Sequence, residues 1–174
     1  MVFWAGRAHD VWMQYVMKEK WLAFGNDFSI SDTDGRELYF VDGRALSLGE
    51  KLSFQDAQRR ELLFIRQRLL AWGPTYEILR EGKTLAVVKK KLFTLFRARF
   101  SVDVPGPDDL EAQGNFLDHE YEFTLHGRPV AQVSKKWISW TDSYVIRTSD
   151  GQDDPLILAC AVVIDLACHE GKND

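Results

Sequence analysis

Leu156–Cys168 is apolar on nearly every side of a helix, and it closes a chain whose earlier segments alternate apolar and polar residues. A helix without a wet face must be enclosed by protein or by lipid. At ~1.5 Å per residue, Pro155–Cys168 reaches roughly 21 Å, short of the ~30 Å hydrocarbon core of a bilayer. It also carries a charge, Asp165. Enclosure by protein is therefore the reading. Asp153 or Asp154 suits the helix N-cap, and Pro155 suits the first turn.

The enclosing material lies upstream. Turn signals recur at Asp34-Gly35, Asp42-Gly43, Gly49, Gly73-Pro74, Glu81-Gly82, Pro105-Gly106-Pro107, His126-Gly127 and Asp150-Gly151. Between them lie short runs rich in β-branched and aromatic residues, as antiparallel strands require. In Phe96–Val104, the residues Phe96, Ala98, Phe100, Val102 and Val104 share one face. Tyr121, Phe123 and Leu125 alternate in the same way with Glu120, Glu122 and Thr124. Each such strand has one dry face and one wet face. Tyr76-Glu77, Gly82, Ala86, Val88, Lys90-Lys91 and Leu92 recur 45 positions later as Tyr121-Glu122, Gly127, Ala131, Val133, Lys135-Lys136 and Trp137. A weaker third copy runs through Leu62, Phe64, Arg66, Gln67-Arg68 and Leu69. Repeated hairpins of one curving sheet, followed by one wholly hydrophobic helix, predict a mainly β fold: a closed antiparallel barrel wrapped around that helix.

The 174 residues fit a single domain, expected over 13–169, with 1–12 as an N-terminal extension and 170–174 as a polar tail. A net charge of −4 argues against a general nucleic-acid binder. Cys160 and Cys168 cannot form a disulfide framework, and Met1–Asp10 lacks the pattern of a signal peptide. The expected location is the cytoplasm, free or peripheral at a membrane. The oligomeric state is left open.

Specific motifs extend this reading. Tyr15-Val16-Met17-Lys18-Glu19-Lys20, Phe40-Val41-Asp42-Gly43, Leu92-Phe93-Thr94, and Pro107-Asp108-Asp109-Leu110-Glu111 with Gly114-Asn115-Phe116 occur in order. With the closing Ile157-Leu158-Ala159 to Val163-Ile164-Asp165 helix, they resemble the LURP-one-related family over roughly residues 13–169. The resemblance implies a Tubby-like barrel of about twelve strands around a central C-terminal helix, shared with phospholipid scramblases. Tubby-type relatives bind phosphoinositides. Scramblase relatives carry a membrane-spanning C-terminal helix and palmitoylated cysteines, whereas this chain lacks a Cys-rich segment and ends in the polar Glu170–Asp174.

No residue pattern demands catalysis, a metal or a cofactor. In a strand, His119 points away from Asp118 and Glu120, so Asp118-His119-Glu120 does not converge on an ion. Cys160 and Cys168 sit in an apolar segment where a thiolate is disfavoured. The basic residues are more informative. Lys89, Lys91, Arg97, Arg99 and Lys136 are the candidate site for an anionic headgroup, since equivalent positions of the repeats fall on neighbouring strands or one rim. Trp72, Trp137 and Trp140 are either interfacial anchors or core filling. Asp165 needs a partner if buried, and Lys90 and Lys135 are the candidates, both read as pointing inward near a barrel end. The function expected is non-enzymatic binding of an anionic ligand, such as a phospholipid headgroup, or of a protein partner. The alternative is an enzyme or small-ligand carrier with its site at the barrel mouth.

Overall fold

The computed structural model describes residues 12–22, 25–43, 49–91, 99–135 and 143–169. Among the described residues, twelve strands follow one another before one helix. They are β1 (Trp12–Leu22), β2 (Gly25–Ser31), β3 (Glu37–Gly43), β4 (Lys51–Asp56), β5 (Glu61–Gln67), β6 (Thr75–Arg80), β7 (Lys83–Lys91), β8 (Arg99–Asp103), β9 (Leu110–Asn115), β10 (Glu120–Leu125), β11 (Arg128–Ser134) and β12 (Ser143–Ser149). Each strand pairs antiparallel with its sequence neighbours, and β1 pairs with β12, so the sheet closes on itself. The helix, α1 (Asp154–His169), runs through the middle.

Alternation decides which side chains face inward. Tyr15 and Met17, Phe28 and Ile30, Leu52 and Phe54, Leu63 and Ile65, Tyr76 and Ile78, and Phe100 and Val102 are buried, each pair two residues apart on its strand. They pack around Leu156–Ala167, in which no residue is more than 6% exposed. The apolar segment is thus the core of the barrel, which explains its lack of a wet face.

The repeat is a structural one. β6–β7 and β10–β11 are both hairpins with a register shift in the first strand, at Ile78/Leu79 and at Phe123/Thr124. Both turn through a non-glycine and a glycine with positive φ, Glu81-Gly82 and His126-Gly127. Tyr76, Ala86 and Val88 in one, and Tyr121, Ala131 and Val133 in the other, fill the interior. Gly114 has a different reason for being glycine. Its φ is +146°, and a Cβ there would lie 2.5 Å from the Glu120 carbonyl oxygen and 2.6 Å from Tyr121 Cα. β9 and β10 cross too closely for a side chain.

The two ends of the barrel differ. At the lower end, where the helix enters, the strands are joined by the turns at Asp34-Gly35, Glu81-Gly82, His126-Gly127 and Asp150-Gly151 and by the segments 57–60 and 104–109. Here Asp153 caps the helix by accepting the Leu156 N–H and pairs with Arg80, while the Tyr15 hydroxyl donates to Asp154. The upper end, where the helix leaves, carries the β5–β6 loop 68–74 and the β9–β10 turn 116–119. β1 already includes Trp12, paired with Ser149, so the barrel takes in this residue of the expected N-terminal extension. Residues 1–11 and 170–174 lie outside the described residues, as do Phe96, Arg97, Lys136, Trp137, Trp140 and the Leu92-Phe93-Thr94 motif.

Candidate functional site

The chemistry-bearing side chains gather at the upper end, in an inner and an outer set. The inner set surrounds Asp165. Asp165 is buried, and its Oδ1 lies 2.6 Å from His119 Nε2, with side-chain exposures of 4% and 13%. This corrects the expected lysine partner. Lys135 falls beyond the end of β11, where its backbone N–H donates to Glu120 and its side chain is exposed. Lys90 keeps the inward register opposite Phe100, but β7 carries it to the rim, where it is half-buried.

His119 reaches the carboxylate because it ends the β9–β10 turn with φ +53°. Nε2 and the Asp165 Oδ1 share one hydrogen bond, and Nδ1 is buried with no hydrogen-bond partner among the described residues. The ring packs 4.4 Å from that of Tyr144, whose hydroxyl donates to Met17 Sδ. Burial, and after it the charge of Asp165, pushes the hydroxyls of Tyr121 and Tyr144 well above the usual tyrosine range. Burial also pushes the Cys160 thiol up, which removes it as a nucleophile. The inner set fastens the helix to the wall.

The outer set lies on the wet face of β4 to β8. Lys51 stands opposite Arg66, Lys89 opposite Ser101 and Lys91 opposite Arg99, so the cations of this wall gather on β4–β5 and on β7–β8 toward the upper end, with Glu77 and Thr75 of β6 between them. Arg68 extends it into the β5–β6 loop. Four of these cations are tied to three carboxylates. Glu77 faces both Arg66 (2.7 Å) and Arg68 (3.3 Å), Lys89 meets Asp103 (2.6 Å) and Lys91 meets Glu111 (2.9 Å). The Glu77 carboxyl is held at about 2, by the Thr84 hydroxyl first and the two arginines after it, against the opposing effect of burial. Lys91 and, more weakly, Arg99 hold the Glu111 carboxyl below its usual range. The wall therefore keeps an excess of positive charge on a chain that is acidic overall.

Of the headgroup candidates, Lys89, Lys91 and Arg99 are brought together on this wall, while Arg97 and Lys136 lie outside the described residues. Asp118 and His119 lie in the β9–β10 turn rather than in a strand, with His119 turned in to Asp165 and Glu120 bound to Ser134 on the neighbouring strand. The His119–Asp165 contact was missed from the sequence. His119 stands in the β9–β10 turn at positive φ, outside the strand alternation, so no period of two points to it.

A closed twelve-stranded barrel filled by its own C-terminal helix, rather than by a ligand, defines the class of this protein. The particular family follows: the chain belongs to the LURP-one-related family, whose model matches residues 13–165. It is 32% identical to the uncharacterized protein YxjI of Bacillus subtilis (strain 168) over 162 residues, 93% of this chain and 98% of that protein. The X-ray structure of the Arabidopsis thaliana protein AT5G01750 has the same fold, with a TM-score of 0.70 at 17% identity, covering 91% of this chain and 93% of that one. Among the described residues no helix is long and apolar enough to cross a membrane.

Proposed function

We propose that this protein is a non-enzymatic binding module whose outer wall, from β4 to β8, associates with a surface of anionic phosphate headgroups. The observation that carries this reading is the gathering of Lys51, Arg66 and Arg68 on β4–β5 and of Lys89, Lys91 and Arg99 on β7–β8, on one side of an acidic protein. Their carboxylate partners do not oppose it. The pairs of Lys89 and Lys91 are close to half-exposed on both sides, and such pairs contribute ~0–1 kcal/mol, so a phosphate can take the ammonium group at little cost. The alternative of an enzyme or carrier at the barrel mouth has less support, because the helix fills the interior to within the last turn.

The test is co-sedimentation with vesicles of phosphatidylcholine containing a quarter phosphatidylserine. Replacing Lys89, Lys91 and Arg99 together with Gln is expected to leave the melting temperature nearly unchanged, since exposed charges rarely alter stability by more than ~0.5 kcal/mol. Vesicle binding should weaken about a hundredfold, at ~1 kcal/mol per cation near an anionic surface. Raising the salt from ~0.1 M to ~1 M, which shortens the screening length from ~10 to ~3 Å, should have a similar effect on the parent. Binding equal in parent and variant, or absent from the parent, contradicts the proposal.

A further inference from the structure

The β5–β6 loop exposes more apolar surface than its place on a barrel rim requires. Leu70 is fully exposed, Trp72 is 96% exposed and Leu69 is 60% exposed. These three side chains share one tip, Leu69-Leu70-Ala71-Trp72. The tip is held outward by its base. Arg68 N–H donates to the Thr75 carbonyl (2.8 Å), Lys90 N–H to the Pro74 carbonyl (3.2 Å) and the Thr75 hydroxyl to the Gly73 carbonyl (3.2 Å). Leu69 leans on Gly49 so closely that a Cβ there would sit 2.7 Å from its Cδ2. Leu70 and Trp72 are left facing water, where concentrated apolar surface marks a place of contact.

We infer that this loop is an apolar hook that inserts into the headgroup layer of an anionic bilayer. The inference rests on the association proposed above, and it selects a membrane rather than a soluble anion as the partner. Charge complementarity supports it. Arg66 and Arg68 precede the tip, and Lys89, Lys90 and Lys91 stand on the strand that pairs with β6. An apolar tip backed by cations matches a leaflet that is anionic at its surface and apolar beneath, and Trp favours that boundary. A protein partner fits less well, because three side chains on one tip fall short of the roughly 800 Å² per partner that stable complexes bury. A second copy related by two-fold symmetry would bring Arg66 and Arg68 against their own counterparts, a like-charge juxtaposition.

The experiment compares three proteins: the parent, a Leu70→Ser/Trp72→Ser variant, and the Lys89→Gln/Lys91→Gln/Arg99→Gln variant. Each is tested against phosphatidylserine-containing vesicles and against soluble heparin, with sedimentation velocity run in parallel. The hook variant is expected to melt like the parent, bind heparin like the parent, and bind vesicles at least about tenfold more weakly. The charge variant should lose both. A hook variant that binds vesicles as the parent does overturns the hook and leaves the electrostatic reading standing. A parent that binds neither vesicles nor heparin overturns both. A parent dimer that the hook substitutions dissociate, without effect on vesicle binding, assigns the loop to self-association and overturns the inference.

Discussion

Ending the chain after Asp154 is expected to abolish the folded state. Leu156, Ile157, Leu158, Val162, Val163, Ile164 and Leu166 are all buried inside the barrel. At ~1.5–3 kcal/mol for each large aliphatic, their removal forfeits about 10–20 kcal/mol, against a typical domain stability of ~5–15. The loss falls on every strand at once, since the inward faces of β1 to β12 would then surround a void. A single Leu158→Ala or Ile164→Ala change should cost ~2–5 kcal/mol by the same logic. Circular dichroism and thermal melting of the truncated chain check the claim. A soluble product with a cooperative melt would refute the helix as core.

The second large effect is expected at the upper end. His119→Ala removes the imidazole that meets the buried Asp165 side chain and packs on Tyr144, and losing one partner of a buried hydrogen bond typically costs ~1–3 kcal/mol. Asp165→Ala should cost a similar amount, because it removes the other half of the same contact. His119 also sits at φ +53°, so His119→Asn, which tolerates that conformation, separates the backbone contribution from the loss of the ring. Urea unfolding of the three variants gives the losses. Losses below ~1 kcal/mol for both His119→Ala and Asp165→Ala would show that the contact does not fasten the helix.

What the sequence discloses of this molecule follows the range of the forces involved. Alternation at Tyr76, Ala86 and Val88 and at Tyr121, Ala131 and Val133 reports burial directly, because a strand has two faces and one of them is dry. Glu81-Gly82 and His126-Gly127 report turns because their backbone enters a region open mainly to glycine and a few polar residues. The all-round apolarity of α1 implies an enclosure, and the repeated hairpins supply one. The partner of Asp165 was less accessible. It lies 46 residues away on a turn whose geometry sends His119 inward, and no local spacing encodes that meeting. Lysines were expected there because the repeat correctly predicts the inward register of β7, but register does not say where a strand leaves the barrel. Trp72 reads from the sequence more readily as core filling than as an interfacial anchor, yet it is 96% exposed. Only the hydrogen bonds of Arg68 and Thr75 at the loop base decide that exposure.

The central claim is that one end and one side of the barrel face an anionic membrane. Hydrogen–deuterium exchange with and without phosphatidylserine-containing vesicles addresses it in the unmodified protein. The account predicts slowed exchange in loop 68–74 and at the upper ends of β5, β7 and β8, with the turns at Asp34-Gly35, His126-Gly127 and Asp150-Gly151 unchanged. Protection centred on those lower turns, or no protection at all under conditions where the protein sediments with vesicles, would contradict it.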